Sequence, residues 1–196
     1  MNVKNLNHKT RVAFQGERGA FSEEAALKLL GPEIELVPRQ TFADLFTSFD
    51  YNNADYLLAP VENSIAGEVI ASVALLRQSA LKVVDEVTIQ IAQHLIACQG
   101  ASFSDIQEVQ SHPVALAQCS KFFTQHPELK QIASDDTAGS VRQVVQEGDR
   151  HRAAIAGQLA ADLYGGIIIR ENIHDTAENY TRFVLLSTST EKDFKK

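Results

Sequence analysis

Cysteine is scarce in this chain. Cys98 and Cys119 are the only two among 196 residues. Two are too few for the disulfide framework of a small secreted domain, so the expected setting is a reducing cytoplasm. Long apolar runs are missing as well. A membrane span needs roughly 18–20 apolar residues, and the richest stretch here, Ile65 to Leu76, is cut by Gly67 and Glu68. Met1 to Thr10 is polar and shows no apolar core of a signal peptide. Positive charge is in deficit: 18 Lys and Arg stand against 25 Asp and Glu, a net charge of −7. Nucleic acid, which requires a basic face to displace counterions, is therefore not an expected partner. A small anion is still admissible, because a site can be locally positive on an acidic protein. Low-complexity segments and fixed-period repeats are also absent.

Several catalytic signatures are missing too. There is no Walker A loop, and Gly16-Glu17-Arg18-Gly19 lacks the third glycine of a dinucleotide fingerprint. No Gly-x-Ser-x-Gly elbow anchors a serine hydrolase. The six histidines (8, 94, 112, 126, 151 and 174) are scattered. His112 and Cys119 lie seven apart and could share a helix face, but two ligands do not make a zinc site. By type and place, His112 reads as a polar helix start and Cys119 as packed core.

What is present alternates between strand-like and helix-like segments. Strands are predicted at Val12–Phe14, Ile34–Val37 (closed by Pro38), Tyr56–Ala59 (closed by Pro60) and Leu81–Val84, with one long run at Val87–Cys98. Further strands are predicted at Val109–Ser111, Ile132–Ala133, Ala153–Ala156, Ile167–Ile169 and Thr181–Leu186. A helix should start at an N-cap Ser22, carry Glu23 and Glu24 in its first turn and stop at Gly31-Pro32. Thr41 and Asp44 form a capping-box variant ahead of an apolar stripe at Phe42, Leu45, Phe46 and Phe49. Val69–Gln78, Pro113–Gln125, Thr137–Glu147 and Gln158–Tyr164 complete the expected helices. The alternation implies an α/β fold with mostly parallel sheet.

In open α/β sheets, ligands sit beyond the carboxyl ends of strands. Four such ends carry small or polar residues ahead of a helix: Gly16–Ser22, Glu62–Gly67, Ser111–Pro113 and Thr137–Ser140. Each alone is adequately explained by helix capping and turning. Together, split between the two halves of the chain, they point to a cleft between two lobes that grips a small anion on helix N-termini. Near the end, Asn179-Tyr180-Thr181-Arg182-Phe183 joins an amide, a hydroxyl and a guanidinium to an apolar strand. Strand alternation places Asn179, Thr181 and Phe183 on one face and Arg182 on the other.

Taken together, Gly-Glu-Arg-Gly-Ala-Phe-Ser-Glu-Glu-Ala-Ala (16–26), Pro-Val-Glu-Asn-Ser-Ile-Ala-Gly (60–67), Ser-His-Pro-Val-Ala-Leu-Ala-Gln-Cys (111–119), Asp-Thr-Ala-Gly-Ser (136–140) and Asn-Tyr-Thr-Arg-Phe (179–183) resemble prephenate dehydratase, in that family's order and from Arg11 to about Ser187. The resemblance implies a two-lobed, periplasmic-binding-protein-like (type II) α/β fold with the active site in the interlobe cleft. The catalytic domain would span 10–190, with one lobe at about 10–90 plus 176–190 and the other at about 91–175. The implied reaction converts prephenate to phenylpyruvate with loss of water and carbon dioxide, on the route to phenylalanine. It implies no cofactor and no metal, and a homodimer. Val114 stands where the family usually has Gln, whereas Gln118 is retained. Family members usually continue into an ACT-type regulatory domain marked by Glu-Ser-Arg-Pro. The 196 residues hold neither that motif nor room for that domain.

By the same resemblance, Thr181 is the essential threonine, assisting departure of the ring hydroxyl, with a relay through water or Glu62 where a full proton is needed. Asn63, Ser111 and Gln118 orient the substrate. Ala20, Phe21 and Ser22, together with Thr137, Ala138 and Gly139, would offer backbone amides to a carboxylate. Ser64 and His112 complete the expected binding set. Arg18 and Arg182 are sources of positive charge, although Arg182 has the alternative of a salt bridge behind the strand. Two other readings stand beside this one: arogenate dehydratase on the same scaffold, and a non-catalytic two-lobed module that binds a small anion.

Overall fold

The computed structural model describes residues 9–50 and 53–188. Two sheets, each with its own helices, are linked by two crossings of the chain. The first sheet contains β1 (Thr10–Gln15), β2 (Ile34–Arg39), β3 (Tyr56–Asn63), the short β4 (Gly67–Glu68), β5 (Lys82–Gln90) and the last strand, β11 (Tyr180–Ser187). Its order is β2-β1-β3-β11-β5, with β4 paired to β3. The second holds β6 (His94–Ala97), β7 (Glu108–Ser111), β8 (Lys130–Ala133), β9 (Arg152–Ala156) and β10 (Ile167–Arg170), in the order β10-β6-β9-β7-β8. Residues 189 and 190 of the expected domain, and the polar segment 1–8, lie outside the described residues.

Alternation along the central strands explains the layers. In the first sheet Val12, Phe14, Leu58, Phe183 and Leu185 point to one side, where helix α1 (Phe21–Leu30) adds Ala25 and Ala26. Ala13, Leu57, Ala59, Val184 and Leu186 point to the other, against α2 (Phe42–Asp50) and α3 (Ile70–Gln78). Both faces are covered, so these strands read as unbroken apolar runs rather than as alternating ones. The second sheet repeats the plan. Leu95, Val109 and Ile155 face α4 (Pro113–Ala117) and α5 (Ser120–Gln125), which supply Leu116, Phe122 and Phe123, with Cys119 from the junction between them. Ile96, Ala154 and Ala156 face α6 (Thr137–Glu147) and α7 (Gln158–Tyr164).

Four sequence expectations need correction. The sheets are mixed rather than mostly parallel: β1–β2, β1–β3, β7–β8 and β7–β9 are parallel, and the other five pairings are antiparallel. The cause is the route of the chain. It crosses to the second sheet through residues 91–93 and returns through 171–179, so β11 enters the first sheet from the opposite end.

The apolar run Val87–Cys98 is accordingly two strands, β5 and β6, in different sheets. At the break the chain leaves one ladder and bonds to the returning segment: Ile91 N donates to Asn179 O at 2.7 Å, and Ile173 N donates to Gln93 O at 2.9 Å.

The single helix expected over 113–125 is likewise split, because Asp175 intervenes. Its backbone N–H donates to Gln118 O at 2.7 Å. Its carboxylate accepts from Ser120 N, Ser120 Oγ and Lys121 N, starting α5 afresh.

Pro60 does not end its strand. β3 runs on to Asn63, with a register shift between Arg182/Phe183 of β11. One extra β3 residue, Val61, makes this a β-bulge, a place where proline's missing N–H is tolerated.

Candidate active site

A cavity of about 450 Å³ opens between the two sheets. The first-sheet half contributes Gln15, Gly16, Ala20–Ser22, Phe42, Asn63, Ala66–Val69, Ile91, Thr181 and Phe183. The second contributes His112, Val114, Ala115, Gln118 and Asp135–Thr137, and Gln93 reaches the wall from a crossing segment. Five helices, α1, α2, α3, α4 and α6, begin at this wall.

The β3 bulge decides which side chains reach the cavity. Thr181 pairs directly with Asn63, and Arg182 with Glu62, but Phe183 then pairs with Pro60. Unbulged alternation from Leu58 would turn residue 62 toward the cavity and residue 63 away. The inserted residue reverses this parity, so Asn63 shares the cavity face with Thr181, and Glu62 is turned to the opposite side with Arg182. There Arg182 bridges Glu62 at 3.2 Å and Glu86 at 3.4 Å. Glu62 and Arg182 thus fall outside the cleft, which removes both the relay through Glu62 and the Arg182 cation from the expected site. Arg18 is committed as well: its guanidinium bonds both oxygens of Glu23 at 2.8 and 2.9 Å. That pairing raises the Arg18 pKa further above its ordinary value, chiefly through the hydrogen bond.

Asn63 is the hub. Its Oδ1 accepts from Ile65 N at 3.0 Å and Ala66 N at 2.8 Å. Its Nδ2 donates to Asn179 Oδ1 at 2.7 Å, Thr181 Oγ1 at 2.9 Å and Tyr180 O at 3.1 Å. Asn179 Nδ2 in turn donates to Gln118 Oε1 at 3.1 Å. Because the Thr181 oxygen accepts from an amide, its own hydrogen is left to point elsewhere. Thr181 lines the cavity and is 8% exposed, so the strand presents a largely buried hydroxyl donor at the wall.

The expected anion cradles differ in what they can offer. Ala20, not Ser22, is the N-cap of α1, and no side chain caps it. Ser22 lies inside the first turn because buried Glu23 holds the preceding loop, accepting from Gly19 N at 2.8 Å. With Glu23 N and Glu24 N both donating to Ala20 O, the Phe21 and Ser22 amides have no acceptor among the described residues. The α6 end is already occupied: the Asp136 carboxylate accepts from Gly139 N. That side chain fills the cap and brings negative charge, beside Asp135, to the same wall. Thr137 borders the cavity, whereas Ala138 and Gly139 do not. His112 caps α4, its Nδ1 accepting from Val114 N at 3.2 Å.

Two further expected residues are diverted. Ser111 is fully buried and donates its hydroxyl to Ile155 O at 2.7 Å, so it braces β7 against β9 beneath the cleft. Ser64 bonds the backbone of the strand entering β11, at Glu178 O and Tyr180 N, away from the cavity. Gln93 and Phe183 were not expected at the site, nor was Asn179 given a role. Asn179 and Phe183 carried a signal in their spacing with Thr181; Gln93 carried none, sitting in what read as one strand. Among the described residues no three of His, Cys, Asp or Glu cluster to hold a metal ion, and no helix is long and apolar enough to cross a membrane.

The family model for prephenate dehydratase matches residues 12–191. The chain belongs to the prephenate dehydratase family. An arogenate dehydratase/prephenate dehydratase 2 of Arabidopsis thaliana chloroplasts is 38% identical over 91% of this chain and 46% of its own length. The solved prephenate dehydratase of Arthrobacter aurescens, in complex with L-Phe, superposes with a TM-score of 0.85 at 26% identity, covering 95% of this chain and 63% of that one. A solved protein described as GqqA, a novel type of quorum quenching acylase, superposes with a TM-score of 0.81 at 33% identity, covering 93% and 65%. The chain spans about half the length of the curated relatives it matches. The matched region contains the whole of the cavity lining and both sheets, apart from Thr10 and Arg11 at the start of β1.

Proposed function

We propose that the cleft converts prephenate to phenylpyruvate, water and carbon dioxide. The observation that supports this best is the Thr181 hydroxyl, held as an acceptor by Asn63 at a cavity wall, its hydrogen having no acceptor among the described residues. In the reaction the bond from ring to carboxylate breaks and its electrons enter the ring. The ring aromatises, and the carbon–oxygen bond to the hydroxyl breaks on the far side. The departing oxygen develops negative charge, which a preorganised donor stabilises. An aliphatic hydroxyl is a weak acid, so Thr181 contributes a hydrogen bond, and the proton that completes water arrives from solvent.

The substrate's carboxylates need donors, and no Lys or Arg lines the cavity among the described residues. The Phe21 and Ser22 amides at the start of α1 fit one carboxylate by direct donation and by the helix dipole. Phe21, Phe42, Ile91 and Phe183 give the ring an apolar surround. The two sheet halves act here as lobes around the substrate; the family resemblance supports a homodimer, and the two unpaired cysteines support a reducing compartment such as the cytoplasm.

An acyl-transfer reading, which the acylase neighbour raises, would need a nucleophile paired to a base. The cavity hydroxyls of Ser22, Thr137 and Thr181 make no hydrogen bond to His112 among the described residues. The test is to supply fresh prephenate or arogenate at saturating concentration and to measure phenylpyruvate, by its absorbance in base, and phenylalanine. Turnover with a preference for prephenate is expected. A large preference for arogenate would move the chain to the amino-acid substrate, and no product from either would leave only the anion-binding module.

A further inference from the structure

Among the described residues, two buried side-chain polar atoms lack a partner: Ser72 Oγ on α3, and Gln93 Oε1. Only Gln93 borders the cavity. It is 2% exposed, and a buried amide with an unsatisfied acceptor costs free energy that an apolar side chain would not. Its backbone is pinned between the crossing segments, N–H donating to His174 Nδ1 at 3.2 Å and carbonyl accepting from Ile173 N at 2.9 Å. The amide is thus held in place with its carbonyl oxygen unused among the described residues.

The polarity of the site's amide chain shows its use. Backbone N–H groups can only donate, so Ile65 N and Ala66 N fix the Asn63 carbonyl toward themselves. Asn63 must then offer its NH2 to Asn179 Oδ1, and Asn179 its NH2 to Gln118 Oε1. Gln93 Nε2 adds a second donor to the same Gln118 oxygen, at 3.4 Å. Turned over, Gln93 would set its carbonyl against that of Gln118. The orientation that avoids this leaves Gln93 Oε1 unpartnered. It also leaves Gln118 Nε2 as a donor with no acceptor among the described residues, on a residue of the cavity wall.

We propose that Gln93 is a positioning residue: it acts through Gln118, joining Asn179 Nδ2 in keeping that carbonyl turned inward so that the amide NH2 is presented to the substrate. The kinetic part of the proposal rests on the dehydratase reading. Prephenate's carboxylates and keto group are all acceptors, so a Gln118 turned the other way would oppose them with a carbonyl.

The test uses Gln93→Glu and Gln93→Met. In Gln93→Glu the introduced carboxyl is buried and titrates above the ordinary value of about 4.3. Protonated, it donates to Gln118 as the amide does. Ionised, it accepts only and draws the Gln118 NH2 toward itself, against the Asn179 Nδ2 donor that holds the Gln118 carbonyl at 3.1 Å, so the NH2 is withdrawn from the substrate. KM for prephenate should therefore rise by about tenfold between pH 5.5 and 8 relative to the wild-type profile, with kcat within about threefold. Gln93→Met, which keeps the volume, should raise KM by about 3- to 10-fold at every pH, without that step. A wild-type KM in Gln93→Met, or a Gln93→Glu profile that superposes on wild type, overturns the proposal; if the glutamate variant does not fold, the methionine variant decides. If the wild type does not turn prephenate over, the dehydratase reading fails by itself. Gln93 is then judged by the Gln118 side-chain NH2 signals in the 1H–15N spectrum, assigned through Gln118→Glu. These should shift with pH in Gln93→Glu and not in wild type, and a pair unmoved by the substitution counts against the proposal.

Discussion

Thr181→Val removes one hydroxyl and keeps the side-chain shape. In the folded protein the loss is local. Asn63 Nδ2 retains acceptors at Asn179 Oδ1, 2.7 Å away, and Tyr180 O, 3.1 Å away, so no buried donor is orphaned. The structural cost is one hydrogen bond among several, about 1 kcal/mol, and the melting temperature should fall by only a few degrees, about 2–4 °C for a chain of this size. The chemical cost is larger. If the hydroxyl stabilises the leaving oxygen in the transition state, its removal should lower kcat by about 10²–10⁴-fold, the span of positioned acid assistance. KM should change little, since the interaction is made mainly as the bond breaks. Thr181→Ser, which keeps the oxygen, should retain turnover within about tenfold; its loss is rotamer freedom, of the order of 1 kcal/mol. The assay is phenylpyruvate release from prephenate, read in base, alongside a thermal melt. A folded Thr181→Val enzyme with kcat within a factor of about ten of wild type would refute the assignment and shift attention to Gln118 and the α1 amides.

Three other outcomes are expected. Arg182→Met breaks two exposed ion pairs behind the strand, so stability should change by less than about 1 kcal/mol and kcat/KM by less than about threefold; a larger kinetic loss would mean that Arg182 reaches the substrate after all. Gly19→Ala should destabilise by about 1–3 kcal/mol, because Gly19 has φ of +85° and a Cβ there would stand 2.9 Å from the Ala160 backbone; an unchanged urea midpoint would contradict that close approach of α1's loop to α7. His94 is held below its ordinary pKa of 6.5 by burial, against the raising effect of Glu171 and with a further lowering by His174, and its neutral Nδ1 accepts from Asn172 N at 3.2 Å. The unfolded chain then binds more protons than the folded one below about pH 6.5, so the His94 contribution is complete above that value and is lost as pH falls toward the folded pKa. Urea midpoints measured from pH 7.5 to 5 should decline more in wild type than in His94→Gln, and equal slopes would show that His94 is not responsible.

The clearest agreement between sequence and structure lies where a local rule acts alone. Thr41 and Asp44 do form their reciprocal cap, Thr41 Oγ1 accepting from Asp44 N at 3.1 Å and Asp44 accepting from Thr41 N. Gly148 does stop α6 in a left-handed conformation with φ of 65°. The site was legible in the same way where spacing sufficed: Thr181 and Phe183, two apart on a strand, both line the cavity. The sequence reading failed where a distant segment intervened. Asp175 lies more than fifty residues from the helix it restarts, and Asn179 and Ile173 interrupt a strand-like run some eighty residues before them. Glu62 and Asn63 look equivalent as neighbours in a polar loop, yet one pairs with Arg182 behind the sheet and the other with Thr181 in the cleft.

The residues alone determined the α/β class, the order of most strands and helices, and the family resemblance that singles out the Thr181 hydroxyl proposed here. Each follows from short-range periodicity, from capping chemistry or from motifs a few residues long, all of which survive in one dimension. Tertiary structure decided which polar groups are still available for a ligand. Arg18, Arg182, Ser111 and Gly139 all find partners within the protein, whereas the Phe21 and Ser22 amides and the Thr181 hydrogen find none among the described residues. The reason is that hydrogen bonds and ion pairs saturate: a donor is free only if no acceptor from elsewhere in the chain reaches it. One extra residue in β3 settled that for Asn63, and two crossings between the sheets settled it for Gln93.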